Sequence, residues 1–150
     1  MKMIPFLSTA ELFDIDKLPV YFESDVILAR NLGLFLAKEL NFNKITSIRI
    51  GSTISELGQY SVKQLSDVEI GFHVAIRNND TPGIILEFKY KDKSVADLSE
   101  IKKDNFRLKK KKKIGSIHLQ RLMDDFHVQE SKNEGIIVTA AKWLPKFSIT

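Results

Sequence analysis

The sequence predicts a single α/β domain, residues 1–150, with a mixed central sheet. Three observations carry this. A long helical stripe follows Pro19. The segment 67–76 alternates strictly between apolar and polar residues and turns into the apolar run 83–91. A last apolar segment, "EGIIVTAAKWL", reads as a closing strand. At 150 residues, with 43% hydrophobic and 28% charged residues, the chain has the size and composition of one globular domain with its own core.

In chain order, residues 1–18 form an N-terminal extension. Within it Ser8 and Glu11 stand at capping-box spacing and predict a short helix in "STAELFD". After Pro19, Phe22, Val26, Ala29, Leu36 and Leu40 fall near one helical face, and Leu28, Leu32 and Phe35 widen it, which predicts a long helix. "KITSIRIGS" reads as a strand ending in a Gly51-Ser52 turn, and "TISELGQYSVKQLS" as a loop containing a helical turn. Val68, Ile70, Phe72, Val74 and Ile76 alternate with Asp67, Glu69, Gly71, His73 and Ala75, the signature of a strand with one buried face. "RNNDTPG" is a turn by composition and delivers the chain antiparallel into "GIILEFKYK". "SVADLSEIKKDNF" has helical spacing, residues 102–113 form a basic connector, and Leu119, Leu122, Met123 and Phe126 suit a helix. The predicted order is helix, three strands, helices, strand.

Composition narrows the functional classes. There is no cysteine, which removes disulfides, a thiolate nucleophile and thiolate zinc sites, and fits an intracellular, cytoplasmic protein. No apolar run reaches membrane-spanning length and no signal peptide precedes the first acids, so no membrane partner is expected. The net charge of +4 is local in origin: residues 89–113 balance to +7 and the remainder to −3. A concentrated basic segment fits a polyanion. Its candidate phosphate contacts are Lys102, Lys103, Lys109, Lys110, Lys111, Lys112 and Lys113.

Asp67 and Glu69 share the polar face of one strand, and Glu87 and Lys89 share a face of the next. Three acids and a lysine on one patch suit a hard divalent cation, Mg²⁺ or Mn²⁺, with the lysine beside an activated water. The pattern Asp, hairpin, Glu-x-Lys resembles the PD-(D/E)xK nucleases. "TPGIILEFKYKDKSVADLSEIKKDNF" is similar to the nuclease domain of AAA-ATPase-like proteins, and "EGIIVTAAKW" to Mrr-like enzymes and Holliday-junction resolvases. The resemblance implies a restriction-endonuclease-like core (helix, three strands, helix, strand). It implies a Mg-dependent endonuclease that cleaves phosphodiester bonds of nucleic acid, DNA above RNA, with metal on Asp67 and Glu87, catalysis by Lys89, and Glu23 as an accessory acid. Nuclease cores of this size are often homodimers. A second resemblance, to the nucleotidyltransferases, lies in "IGSTISELGQYSVKQLSDVEIGF" and implies Gly51 and Ser52 on phosphate with metals on Asp67, Glu69 and Glu87. A catalytically silent nucleic-acid-binding relative is the third expectation.

Overall fold

The structure, a computed structural model, describes residues 10–63, 68–78, 80–90, 119, 121–131 and 135–145. It contains β1 (Ala10–Val20), α1 (Glu23–Glu39), α2 (Lys44–Lys63), β2 (Val68–Arg77), β3 (Thr81–Tyr90), β4 (Asp125–Ser131) and β5 (Gly135–Trp143). The five strands form one sheet in the order β1-β2-β3-β5-β4, and each neighbouring pair is antiparallel. The expected mixed sheet and restriction-endonuclease-like order are therefore replaced by strand, two helices and four strands.

Two of the differences have local physical causes. Ala10–Val20 is a strand, not a helix, because it pairs along its whole length with β2, from Ala10↔Arg77 to Val20↔Val68. Its charged residues and Pro19 suit an outer position, where one side of the ladder needs no partner. Lys44–Lys63 is one continuous helix, so the Gly51-Ser52 turn does not exist. Short windows of this segment look β-like because isoleucine and threonine crowd them. Over its full length, Ile50, Ile54, Leu57 and Ser61 repeat at helical spacing, and all are buried.

The corner between the helices has its own chemistry. Asn41 adopts the left-handed conformation (φ 67°), its N–H bonds to Lys38 O at 3.0 Å, and Phe42 N–H bonds to Ala37 O at 2.9 Å. This pair of bonds closes α1, with asparagine in the position that glycine usually takes. Two residues later the Asn43 side chain accepts from Thr46 N–H at 2.8 Å and opens α2. At the other end of α1, the Asp25 carboxylate accepts from the N–H groups of Tyr21 and Phe22 at 2.8 and 2.9 Å. The helices then lie close together because glycine stands at their contacts. A Cβ at Gly58 would come within 3.0 Å of Val26, and one at Gly33 would overlap Ile54.

Both helices cover one face of the sheet. Ile50, Ile54 and Leu57 of α2 and Val26, Ala29 and Leu36 of α1 form the core with Ile70, Phe72, Leu86, Phe88, Tyr90, Val138 and Ala140. Tyr90 is fully buried, and its hydroxyl donates to Leu57 O at 3.2 Å, tying the end of β3 to α2. A smaller cluster of Ala75, Ile85, Ala141 and Trp143 lies on the opposite face. There Gly83 leaves room for the Trp143 ring, and the Arg77 guanidinium lies 4.0 Å above that ring. The segment expected to continue as a helix through Phe126 becomes β4. Asp124 holds its start to β5, accepting from Trp143 N–H at 2.8 Å and from the Lys142 ammonium at 3.2 Å.

Leu119 alone of the predicted positions 119–120 is described. The predicted helix at 94–106 and the basic connector 102–113 lie outside the described residues. With the connector go all seven expected phosphate contacts: Lys102, Lys103, Lys109, Lys110, Lys111, Lys112 and Lys113. Ser8, Asp67, His118 and Gln120 lie outside them as well.

The expectation that the strand bearing Glu87 is central, with Ile84, Leu86 and Phe88 buried, agrees with the third place of β3 in the sheet and the complete burial of all three. Phe88→Ala removes a fully enclosed ring from between sheet and helices. It should cost about 3–5 kcal/mol in urea unfolding. A loss below about 1 kcal/mol would show that the ring is not packed as described.

Candidate functional site

The residues that looked like one acidic patch are distributed by the ladder into separate pairs. Directly opposed residues of antiparallel strands share a face, so the side of the sheet away from the helices carries Glu69 and Lys89 opposite one another. Glu87 lies opposite Gly71 on one side and Thr139 on the other. Gly71 leaves the space beside Glu87 open, and the imidazole of His73 reaches into it.

His73 is the centre of this face. Its Nδ1 lies 2.7 Å from Asp14 Oδ1, and its Nε2 lies 3.6 Å from Glu87 Oε1. The first contact is a hydrogen bond and the second a charge contact. The His73 and Glu87 side chains are largely covered, whereas Asp14 is mostly exposed on β1. Burial by itself pushes the imidazole pKa down, but Glu87 and then Asp14 outweigh it, and the value stands above the ordinary 6.5. A protonated imidazole donates from both nitrogens and keeps no lone pair for a metal or for a proton in flight. The row links three strands, β1, β2 and β3, through His73, and the two carboxylates favour its protonated form.

Glu87 and Lys89 share a face, as strand periodicity requires; Lys89 stands opposite Glu69 in the ladder, and Glu87 meets His73. Glu23 is the first residue of α1, exposed, and suits the positive end of the helix dipole rather than an accessory role. Ser52 and Gly51 sit in the middle of α2. Asp67 lies outside the described residues. Among those described, no group of three or more His, Asp or Glu is placed to hold a metal ion. Asp14 was missed by sequence reading because nothing local marks it; only the β1–β2 register brings it to His73.

A second feature is a groove on the outer side of the helix pair, about 340 Å³ in volume. Its walls are Arg30 and Leu34 of α1 and Ile48, Ser52, Ser55 and Glu56 of α2, and Gly51 forms its floor.

These features define a two-layer α/β protein in which Asp14 and Glu87 meet His73 across three strands. No protein-family model matches the chain. It is 32% identical over 123 residues to "Serine/threonine-protein kinase RsbT" of Bacillus subtilis (strain 168), an alignment that spans 81% of this chain and 91% of that protein. The chain belongs to the RsbT family.

That membership overturns the nuclease and nucleotidyltransferase readings from which Asp67, Glu69, Glu87, Lys89 and Glu23 were expected as site residues. The relative is a protein kinase, a phosphotransferase rather than a hydrolase of nucleic acid. DNA is likewise withdrawn as the expected partner; the expected phosphate contacts Lys102, Lys103, Lys109, Lys110, Lys111, Lys112 and Lys113 lie outside the described residues. The resemblance misled because Asp-x-Glu and Glu-x-Lys on a hairpin are also what any half-buried antiparallel pair produces when it balances charge on its polar side. No described helix is long and apolar enough to cross a membrane.

The bridge predicts a pH dependence. Because the folded pKa of His73 is raised, its stabilisation is complete below the unfolded value of about 6.5 and is lost as pH rises through the folded value. Histidine NMR titration should place His73 above 6.5, and Asp14→Asn and Glu87→Gln should each lower it. A titration at or below 6.5 that neither substitution moves would rule out the bridge.

Proposed function

We propose that this chain acts on a protein partner in serine/threonine-kinase signalling. The observation that carries the reading is the 32% identity to a serine/threonine-protein kinase over 81% of the chain. The matching chemistry is transfer of the γ-phosphoryl group of ATP to a serine or threonine hydroxyl of the partner, with the hydroxyl proton lost and ADP released. Mg²⁺ supports such transfers when bound. The described side chains do not fit it: among them no group of three or more His, Asp or Glu is placed to hold a metal ion, and both nitrogens of His73 face carboxylates. No step is therefore assigned to a metal.

A second reading, binding and regulation of the partner without transfer, is favoured by where the glycines fall. All seven are dispersed: Gly33, Gly51 and Gly58 in helices, Gly71 and Gly83 inside strands, Gly135 at the start of β5, and Gly115 after the lysine run. No two stand at the Gly-x-Gly spacing with which glycine-rich loops let backbone N–H groups approach phosphates.

One experiment separates these readings. The purified chain is used to capture its protein partner, and the complex is incubated with γ-labelled ATP and Mg²⁺. Label on serine or threonine of the partner is the expected result for transfer. Capture without label, together with no ATP binding tighter than about 1 mM by calorimetry, selects regulation by binding alone. Failure to capture any protein, with no label on any protein offered, would refute a protein-directed role.

A further inference from the structure

We infer that β1 is a dimerisation edge. Two copies of this chain join by antiparallel pairing of their β1 strands about a two-fold axis between Ile15 and Asp16, with Asp14 of each copy on Lys17 of the other. The ground is the register of the strand, which is independent of any phosphotransfer.

β1 lies at one end of the sheet, is eleven residues long and has β2 as its one neighbour. Its outer ladder has no partner strand among the described residues. A long edge strand with accessible apolar side chains is a template for another strand. Leu12, Phe13 and Ile15 are each 44–46% accessible.

Two residues fix which backbone groups point out of the sheet. Pro19 has no N–H and stands opposite Glu69 within the ladder, so its nitrogen faces away from β2. Lys17, two residues earlier, turns the same way, and its N–H is met by the Asp16 carboxylate at 2.8 Å. In a regular strand the outward positions would continue at Ile15 and Phe13. The bulge between Asp14 and Asp16 shifts them by one. Asp14 faces His73 and Lys17 faces Gly71, positions two apart on β2, so Asp14 and Lys17 point alike. The outward residues are therefore Ala10, Leu12, Asp14, Lys17 and Pro19.

This set maps onto itself about one axis. A two-fold between Ile15 and Asp16 brings Asp14 opposite the partner's Lys17 and Leu12 opposite the partner's Pro19, outward groups against outward groups on both halves. Any other axis matches one half of the strand only, because the outward positions change from even to odd at the bulge. Opposed residues that both point outward exchange N–H and C=O bonds, which Asp14 and Lys17 do twice. In the single chain Asp16 answers the Lys17 N–H, and in the pair the carbonyl of the partner's Asp14 takes its place.

The side chains agree with the backbone. Asp14 and Lys17 both lie on the face away from the helices, opposite His73 and Gly71. The Asp14 side chain is 79% exposed and uses Oδ1 on His73, which leaves Oδ2 for the partner's Lys17. On the helix side Phe13 meets the partner's Leu18, again twice. Glu11 and Asp16 come opposite Val20 and Ile15, so no acid stands directly across from an acid. Opposite charges and apolar pairs placed across an antiparallel ladder each favour pairing.

Sedimentation equilibrium of the full chain tests this. A monomer–dimer equilibrium is expected, and raising the concentration should slow amide exchange at Leu12, Asp14 and Lys17. Asp14→Lys and Lys17→Glu each set like charges opposite one another twice and should weaken self-association by about tenfold or more. Mixed in equal amounts, the two variants regain an opposite-charge pair at both places and should form a heterodimer. Asp14→Lys also breaks the contact with His73, so its fold is checked by circular dichroism. Leu12→Pro removes an outward N–H without touching the β2 ladder or any charge, and it should weaken the dimer too. A chain that stays monomeric up to about 1 mM would overturn the inference. So would a dimer that neither charge variant weakens, a mixture of the two variants that stays monomeric, or exchange slowed on the helices instead of β1.

Discussion

Burial of one face of the sheet beneath two closely packed helices governs the rest of the molecule. Phe72, Phe88 and Tyr90 point to that face and meet Ile50, Ile54 and Leu57, all essentially inaccessible to water. Strand periodicity then leaves no choice for the intervening residues. Glu69, His73, Glu87 and Lys89 must emerge on the other side, where they are arranged by register rather than by their spacing in sequence. The glycines of the helix pair serve the same end. Gly33 and Gly58 let α1 and α2 approach as one layer, and only a close pair covers the aromatic residues beneath.

The opposite face shows how charge is managed once the core is set. Burial alone would lower the pKa of an imidazole, yet His73 sits between Glu87 and Asp14 and its pKa stands above the ordinary value. The result links β1, which has Leu12, Phe13 and Ile15 exposed and little core of its own, to the middle of the sheet. Lys142 follows the same logic at the other end: it is mostly buried, and its ammonium donates to Leu122 O and to Asp124. Both are ways of keeping a covered charge answered, and their resemblance to catalytic constellations is the reason that short acidic and basic motifs mislead.

The outer side of the helix pair carries the exposed apolar side chains, the groove and the unanswered donor of Arg30. Gly51 and Ser52 matter there, as floor and wall of a helical groove rather than as a phosphate-binding turn.

From the sequence alone, α1, the β2–β3 hairpin and the closing strand β5 were legible; on α1 Val26, Ala29 and Leu36 are buried as expected, whereas Phe22, Leu28 and Phe35 of the expected stripe are exposed. Their apolar residues repeat at the period of the element, and period is a local property. Charge and the lack of cysteine were equally plain. The order of strands, the helical state of residues 44–63 and the strand state of residues 10–20 were decided by tertiary structure. In α2 the β-branched residues favour extension, and burial of Ile50, Ile54 and Leu57 on the sheet overrides that preference. In β1 the deciding partner is β2, nearly fifty residues away for Val20 and 67 for Ala10. The site followed the same division: which residues face the same way was written in the chain, but which of them touch depended on register. Asp14 reaches His73 because hydrogen bonds between strands align them, a constraint that no spacing within either strand expresses.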